Sequence, residues 1–337
     1  MTTPIRSAEI AVLGAGSWGT ALALLLCRNG HRVRLWDHFT EHLAELRRDG
    51  ENRRYLPGIP LPEGLRPVDD LAEAVAGADE LLVVVPSHAF AAVLRALPAP
   101  LPPHLGVAWA TKGLEPETGR LLHEVAQEVL GRGDLAVISG PSFAREVAAG
   151  LPTAVTVAAT RPEHARRVAD YLHGERFRAY TSDDIIGVQV GGAAKNVLAI
   201  ATGIADGLGF GANTRAALIT RGLAELIRLG TALGGQTETF IGLAGLGDLV
   251  LTCTDDQSRN RRMGLALARG LSVEAAKAQI GQEVEGVITA RSVYNTAQRL
   301  GIEMPISEQV YGVLYLATTP QEATENLLTR SSKAEFY

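Results

Sequence analysis

Six residues near the start of the chain, Gly14-Ala15-Gly16-Ser17-Trp18-Gly19, restrict its fold more than any other segment. The spelling G-x-G-x-x-G is weak evidence alone, but its setting is specific. The apolar run 10–13 leads into it and the apolar helical stretch 20–28 leaves it. A second strand candidate, 32–36, follows, and Asp37 sits at its end, 18 residues after Gly19. Strand, glycine turn, helix and a second strand closed by an acid make up the dinucleotide-binding fingerprint. Gly14 permits the tight turn, Gly16 lets the backbone approach a pyrophosphate, and Gly19 lets helix and strand pack closely, with the helix N-terminus facing the negative charge. Asp37 would accept hydrogen bonds from the adenosine ribose and repel a 2′-phosphate. That favours NAD over NADP unless His38, Arg34, Arg53 or Arg54 reaches the same spot.

Two rival readings of this region are weaker. Ala15-Gly16-Ser17-Trp18-Gly19 resembles a nucleophile elbow with alanine in place of its first glycine, which requires an acid and then a histidine later in the chain. The last histidine is His173, so a hydrolase reading is strained. His38 and His42, four apart, could face one metal, but spacing supplies no third ligand, and a polar helix start explains them better.

A chain of 337 residues exceeds what one core usually supports, so two domains are expected. Short runs at 10–13, 32–36, 81–85, 106–110, 135–138, 153–158 and 177–180 read as strands, with helical patterns between most of them. That alternation describes a doubly wound α/β domain with a parallel sheet covered on both faces. From about residue 183 the strand signal stops, and 185–204, 214–233, 260–268, 273–278, 287–300 and 306–315 read as helices. The expected division is therefore 1–182, a dinucleotide-binding domain, and 183–337, an all-helical substrate domain, with a ligand cleft between them.

Composition excludes other classes. With 46% hydrophobic and 20% charged residues the chain is not disordered, and a net charge of −5 argues against nucleic-acid or anionic-membrane surfaces. Runs such as 21–26 and 81–85 fall far short of a membrane span, and residues 1–6 lack a signal-type apolar core. Only Cys27 and Cys253 are present, so no disulfide framework is expected. A cytoplasmic protein acting on a small molecule fits these limits.

Three polar clusters stand out. Lys195 lies in the apolar segment 188–200 behind Gly191 and Gly192, which would let a backbone or ligand approach. A buried lysine must pair with an anion or titrate low, and a lowered pKa suits acid–base chemistry; a structural ion pair is the plainer reading. Lys112 follows the strand 106–110, at the sheet end where doubly wound folds bind ligands. It is otherwise a solvated loop lysine. Ser139-Gly140-Pro141-Ser142 follows the strand 135–138; Pro141 at a first helical position would leave amides free for an anion, or Ser142 would simply serve backbone amides. Asp248 sits in 245–249, and Ser258-Arg259-Asn260 opens a helix where amides, a guanidinium and a side-chain amide converge on a phosphate. Arg261 and Arg262 read better as a solvated basic face.

Thr111-Lys112-Gly113-Leu114-Glu115 and Leu251-Thr252-Cys253-Thr254-Asp255, with 14–20, 83–88, 138–143, 191–196, 207–213, 244–260 and 284–286, resemble the bacterial-type NAD(P)-dependent sn-glycerol-3-phosphate dehydrogenases over nearly the whole chain. The resemblance implies reversible reduction of dihydroxyacetone phosphate to sn-glycerol 3-phosphate for glycerophospholipid synthesis, with NAD or NADP, in a homodimer. It implies Lys195 as the acid–base residue, with Lys112, Gly140, Ser142, Asp248, Ser258, Arg259 and Asn260 around the substrate. Ser17, Trp18, His38, Lys112, Ala144, Arg259, Glu283 and Glu285 match positions lining the cofactor; Glu283 departs from the hydrophobic residue usual there. The alternatives are a 3-hydroxyacid or 6-phosphogluconate-type dehydrogenase, for which no substrate-carboxylate motif is found, or a non-catalytic dinucleotide sensor.

Overall fold

Eight strands form one sheet in the computed structural model: β1 (Glu9–Leu13), β2 (Arg32–Trp36), β3 (Leu65–Val68), β4 (Glu80–Val83), β5 (Gly106–Trp109), β6 (Leu135–Ser139), β7 (Thr153–Ala159) and β8 (Phe177–Ser182). The structure describes residues 7–331 and Ala334; residues 1–6, where no signal-type core is expected, lie outside them. The strand order is β3-β2-β1-β4-β5-β6-β7-β8. The sheet grows outward from β1 in both directions, through β2 on one side and β4 on the other. The carboxyl end of β1 is thus a topological switch point, where open α/β sheets bind ligands. Strands β4, β5 and β6 are buried along their whole length, which is why they read as unbroken apolar runs.

Two departures from the sequence reading have physical causes. The sheet is not parallel throughout, because β7 runs antiparallel to β6, with Ala136 opposite Ala159. The link between them carries only the short helix Ala144–Ala148, whereas β7 and β8 are parallel and joined across the eleven-residue helix Pro162–Leu172. Strand β3, not recognised from sequence, is four residues long and contains Pro67; its place at the sheet edge tolerates the missing N–H.

Beyond Ser182 the described residues contain helices and one π-type turn, Leu243–Gly247. The helix Ile185–Gly207 is the axis of this region. Asp184 caps it, accepting from the Gly187 N–H at 2.7 Å, the Gln236 N–H at 2.8 Å and the Thr239 hydroxyl at 2.6 Å. Ile185 and Val188 pack into the sheet's core with Leu81, Trp109 and Val137, while residues from Val190 onward form the centre of the helical core. Both cores therefore share one helix. By length and composition it alone among the described residues could cross a membrane, which a search for uninterrupted apolar runs missed because Gln189, Lys195 and Asn196 break the run. In its most apolar 18-residue window 94% of the residues are buried inside the protein, the condition of a core helix.

The helix Arg259–Ala268 lies directly against this axis. A Cβ on Gly203 would come within 2.1 Å of the Arg261 carbonyl oxygen, and one on Gly264 within 2.1 Å of the Ile200 carbonyl oxygen. The two backbones touch, and this contact fixes Ser258–Asn260 relative to Lys195. Gly264→Ala is therefore expected to destabilise the fold by roughly 1–3 kcal/mol, the usual cost of overpacking. Urea unfolding measures it: a lowered midpoint with unchanged m-value is expected, and a wild-type midpoint would contradict the close contact.

Candidate active site

The glycine loop follows β1 and opens the helix Ser17–Arg28. Gly14 has φ +114°, and a Cβ there would lie 2.5 Å from the Val84 carbonyl oxygen; one on Gly19 would lie 1.9 Å from the Gly14 carbonyl oxygen. A Cβ on Gly16 would meet nothing within 4 Å, so that side of the loop is open. The helix N-terminus has no side-chain cap and no acid in its first turn, and the Trp18 indole N–H is buried without a partner. An open cradle, uncapped amides and an orphaned donor fit the pyrophosphate half of a dinucleotide. Among the described residues no cluster of His, Cys, Asp and Glu suits a metal ion, and His42 instead hydrogen-bonds the Ala15 carbonyl at 3.2 Å.

Asp37, at the end of β2, accepts from the Ala15 N–H at 2.7 Å and from the Phe39 N–H at 3.0 Å. It therefore staples the glycine loop to β2. His38 beside it is exposed. Arg34 donates to the backbone carbonyls of Glu73 and Ala76, and Arg53 pairs with Glu51, so neither offsets the Asp37 charge.

A cleft of about 490 Å³ runs from Gly16, Ser17 and Trp18 across the carboxyl ends of β4 and β5 to the helical region. Lys112 and Lys195 stand in its wall, on either side of one buried carboxylate. The Lys112 ammonium donates to Asp248 Oδ2 at 2.6 Å and to the Gly140 carbonyl at 3.0 Å. The Lys195 ammonium donates to Asp248 Oδ1 and, at 2.9 Å, to the Thr252 hydroxyl. The Thr252 hydroxyl in turn donates a hydrogen bond to the Asp248 backbone carbonyl at 2.6 Å. Both readings of Lys195 hold together: it is ion-paired, and burial lowers its pKa from 10.5 to about 7, against the opposing field of Asp248. Gly191 makes the arrangement possible, since a Cβ there would lie 2.4 Å from the carbonyl of Ala244, in the π-type turn that delivers Asp248.

At the far side, Ser258 caps the helix Arg259–Ala268, its hydroxyl accepting from the Arg261 N–H at 3.2 Å. The Arg259 guanidinium lies in the cleft wall, where burial lowers its pKa against the opposing charges of Glu285 and Glu283. Asn260 commits its amide to Asn196 at 2.8 Å and to the Gly286 N–H at 2.9 Å, holding two helices rather than pointing free. Arg261 is not a solvated base; it is buried and pairs with Asp206 at 2.6 Å and with Asp256. Arg262 lines the cleft, also contrary to expectation. Pro141 is not a first helical residue, since that helix begins at Ala144; Ser142 lines the cleft with Ala144 and donates to the Gly140 carbonyl at 2.9 Å. Glu283 and Glu285 line the cleft, and the Glu285 carboxylate accepts from the N–H and hydroxyl of Ser87.

Sequence reasoning missed Thr252, although its position one helical turn after Asp248 was a usable signal. Tyr55, Arg145, Gln257 and Gln282 also line the cleft, from loops or a short helix with no pattern to mark them.

Known proteins carry the same architecture. Residues 9–165 match the model of the NAD-dependent glycerol-3-phosphate dehydrogenase N-terminus, and residues 184–325 that of its C-terminus. The chain belongs to the NAD-dependent glycerol-3-phosphate dehydrogenase family. It is 57% identical over 332 residues to a glycerol-3-phosphate dehydrogenase [NAD(P)+] of Shewanella halifaxensis, covering 98% of each chain. It is 60% identical over 328 residues to that of Thioalkalivibrio sulfidiphilus, covering 97% of this chain and 98% of the relative. The crystal structure of glycerol-3-phosphate dehydrogenase from Coxiella burnetii superposes with a TM-score of 0.94 at 51% identity, covering 96% of this chain and 99% of the other. Membership in this dehydrogenase family makes NAD or NADP the cofactor that the glycine loop receives.

The open side of Gly16 separates folding from cofactor binding. Gly16 has ordinary extended angles, φ −68° and ψ −176°, which any residue adopts. Gly16→Val is expected to keep the wild-type thermal midpoint while weakening NADH binding at least about tenfold by filling the cradle. Calorimetric titration with NADH checks it; undiminished affinity would move the pyrophosphate away from this loop.

Proposed function

We propose that the cleft carries out the reversible NAD(P)H-dependent reduction of dihydroxyacetone phosphate to sn-glycerol 3-phosphate, supplying glycerophospholipid synthesis. The observation that carries this reading is the pair of lysines sharing Asp248 at the inner end of a dinucleotide cleft, facing the Ser258–Arg259 helix start. The relatives' name, glycerol-3-phosphate dehydrogenase [NAD(P)+], gives the substrate and coenzyme of the oxidative direction. When bound along the glycine loop, the coenzyme supplies hydride chemistry at the substrate's C2.

The chain's own residues handle charge and protons. Lys195, with a pKa of about 7, gives its ammonium proton to the oxygen developing on C2 and recovers one in the reverse direction. Lys112 holds positive charge beside that oxygen, and Asp248 fixes both ammonium groups. The backbone amides of Arg259 and Asn260 and the Arg259 guanidinium hold the phosphate, while Gly140 and Ser142 bound the other side. Fixing the phosphate sets the distance from C2 to Lys195.

Asp37 supports NAD as the better coenzyme, because Arg34 and Arg53 are engaged elsewhere. The division between coenzyme and substrate domains falls near residue 182. The same reading makes the protein a cytoplasmic homodimer that uses no nucleic acid, the last point supported by the net charge of −5.

Absorbance of reduced coenzyme tests the reaction, with NADH and NADPH run in parallel. Oxidation that requires dihydroxyacetone phosphate is expected, faster with NADH; none with either would remove the assigned substrate. In the same assay, folded Lys195→Ala should lose at least about 100-fold in kcat, the low end for removing a general acid. A near-normal kcat would assign the proton to another group.

A further inference from the structure

Five cations line the cleft: Lys112, Arg145, Lys195, Arg259 and Arg262. They suit a phosphorylated substrate and a pyrophosphate. They do not suit one form of the coenzyme's reactive ring, because oxidised nicotinamide carries a positive charge that the reduced ring lacks. Two carboxylates share the lining, Glu283 and Glu285, and a third, Asp248, lies buried behind Lys112 and Lys195 as their shared counter-ion. Glu285 is committed to Ser87, accepting from its N–H at 3.0 Å and its hydroxyl at 2.8 Å. Glu283 makes no hydrogen bond or salt bridge with any described residue, although its charge acts on Arg259 and Glu285.

The position of Glu283 along the cleft follows from its neighbours. Ser87 begins the helix that leaves β4, and a Cβ on Gly113, just after β5, would lie 3.3 Å from the Glu285 carboxylate. Glu285 therefore overlies the carboxyl ends of β4 and β5, and Glu283, two residues before it and exposed, lines the same cleft. In this sheet the loop after β1 divides a dinucleotide, with the adenosine half over β2, where Asp37 stands, and the nicotinamide half over β4 and β5. Lys195 and Lys112 lie on that second side, where the ring must reach them.

We infer that Glu283 is a specificity residue for the coenzyme's oxidation state: its unpartnered carboxylate favours the positively charged oxidised ring against the surrounding lysines and arginines. This rests on the coenzyme reading above. The consequence is tighter retention of oxidised coenzyme and slower product release in the reductive direction.

Calorimetric titration of NAD⁺, NADH and ADP-ribose into the wild type, Glu283→Gln and Glu283→Asp tests it. Glu283→Gln is expected to weaken NAD⁺ binding by roughly three- to tenfold, the reach of one partly screened charge over several ångströms. NADH and ADP-ribose should stay within about twofold, since neither carries the ring charge, and Glu283→Asp should keep most of the preference. Equal weakening of all three ligands would make Glu283 a structural residue and overturn the inference, as would NAD⁺ affinity unchanged within about twofold. Wild-type protein that binds none of the three would overturn the coenzyme site itself, and the inference with it.

Discussion

One carboxylate between two ammonium groups is the constraint around which the site is arranged. Asp248 is 1% exposed and receives Lys112 on one oxygen and Lys195 on the other. Burying three charges is tolerable only because each is hydrogen-bonded: Lys112 also to the Gly140 carbonyl, Lys195 also to Thr252. The three residues come from three places, a loop after β5, the axial helix Ile185–Gly207, and the helix Asp248–Thr254. The ion cluster therefore pins the sheet to the helices at the point where chemistry takes place. It also leaves one positive charge in excess, which suits a developing alkoxide and a phosphate.

The axial helix can take part because its glycines remove side chains where it must touch other backbones. Gly191 admits the π-type turn, Gly192 admits the Ser139 hydroxyl at the end of β6, and Gly203 admits the helix Arg259–Ala268. Each contact brings a different part of the site to the same cleft: Asp248, the 139–142 loop, and the Ser258–Arg259 helix start. The cost is a helix with low intrinsic propensity, offset by nearly complete burial between two cores.

Much of this was legible in the letters. The buried parallel strands β1 and β4–β6 stand out because burial on both faces writes them as continuous apolar runs, and the glycine loop because its turn admits few other residues. Lys195 was conspicuous as a charge in an apolar helix. What was not legible depends on tertiary placement. Nothing in Leu65-Arg66-Pro67-Val68 announces a strand until β2 offers it an edge. Arg261 and Arg262 are adjacent and chemically alike, yet one is locked onto Asp206 and the other faces the cleft, a distinction set by helix rotation against Gly203. That the Asn260 side-chain amide ties Asn196 to Gly286 was equally hidden, because it depends on how closely the helices approach.

Asp248 holds up the pKa of Lys195, which burial pushes down. The pH dependence of kcat/KM for dihydroxyacetone phosphate reduction, in wild type and Asp248→Asn, tests it most directly. Reduction needs the protonated lysine, so wild-type activity should fall as pH rises through about 7. Removing the carboxylate takes away the field that favours the ammonium and leaves Lys112 repelling it, so the same fall should begin at lower pH in the variant. A descending limb in the same place in both proteins, or one moved to higher pH, would contradict the assignment of Asp248 as the shared counter-ion.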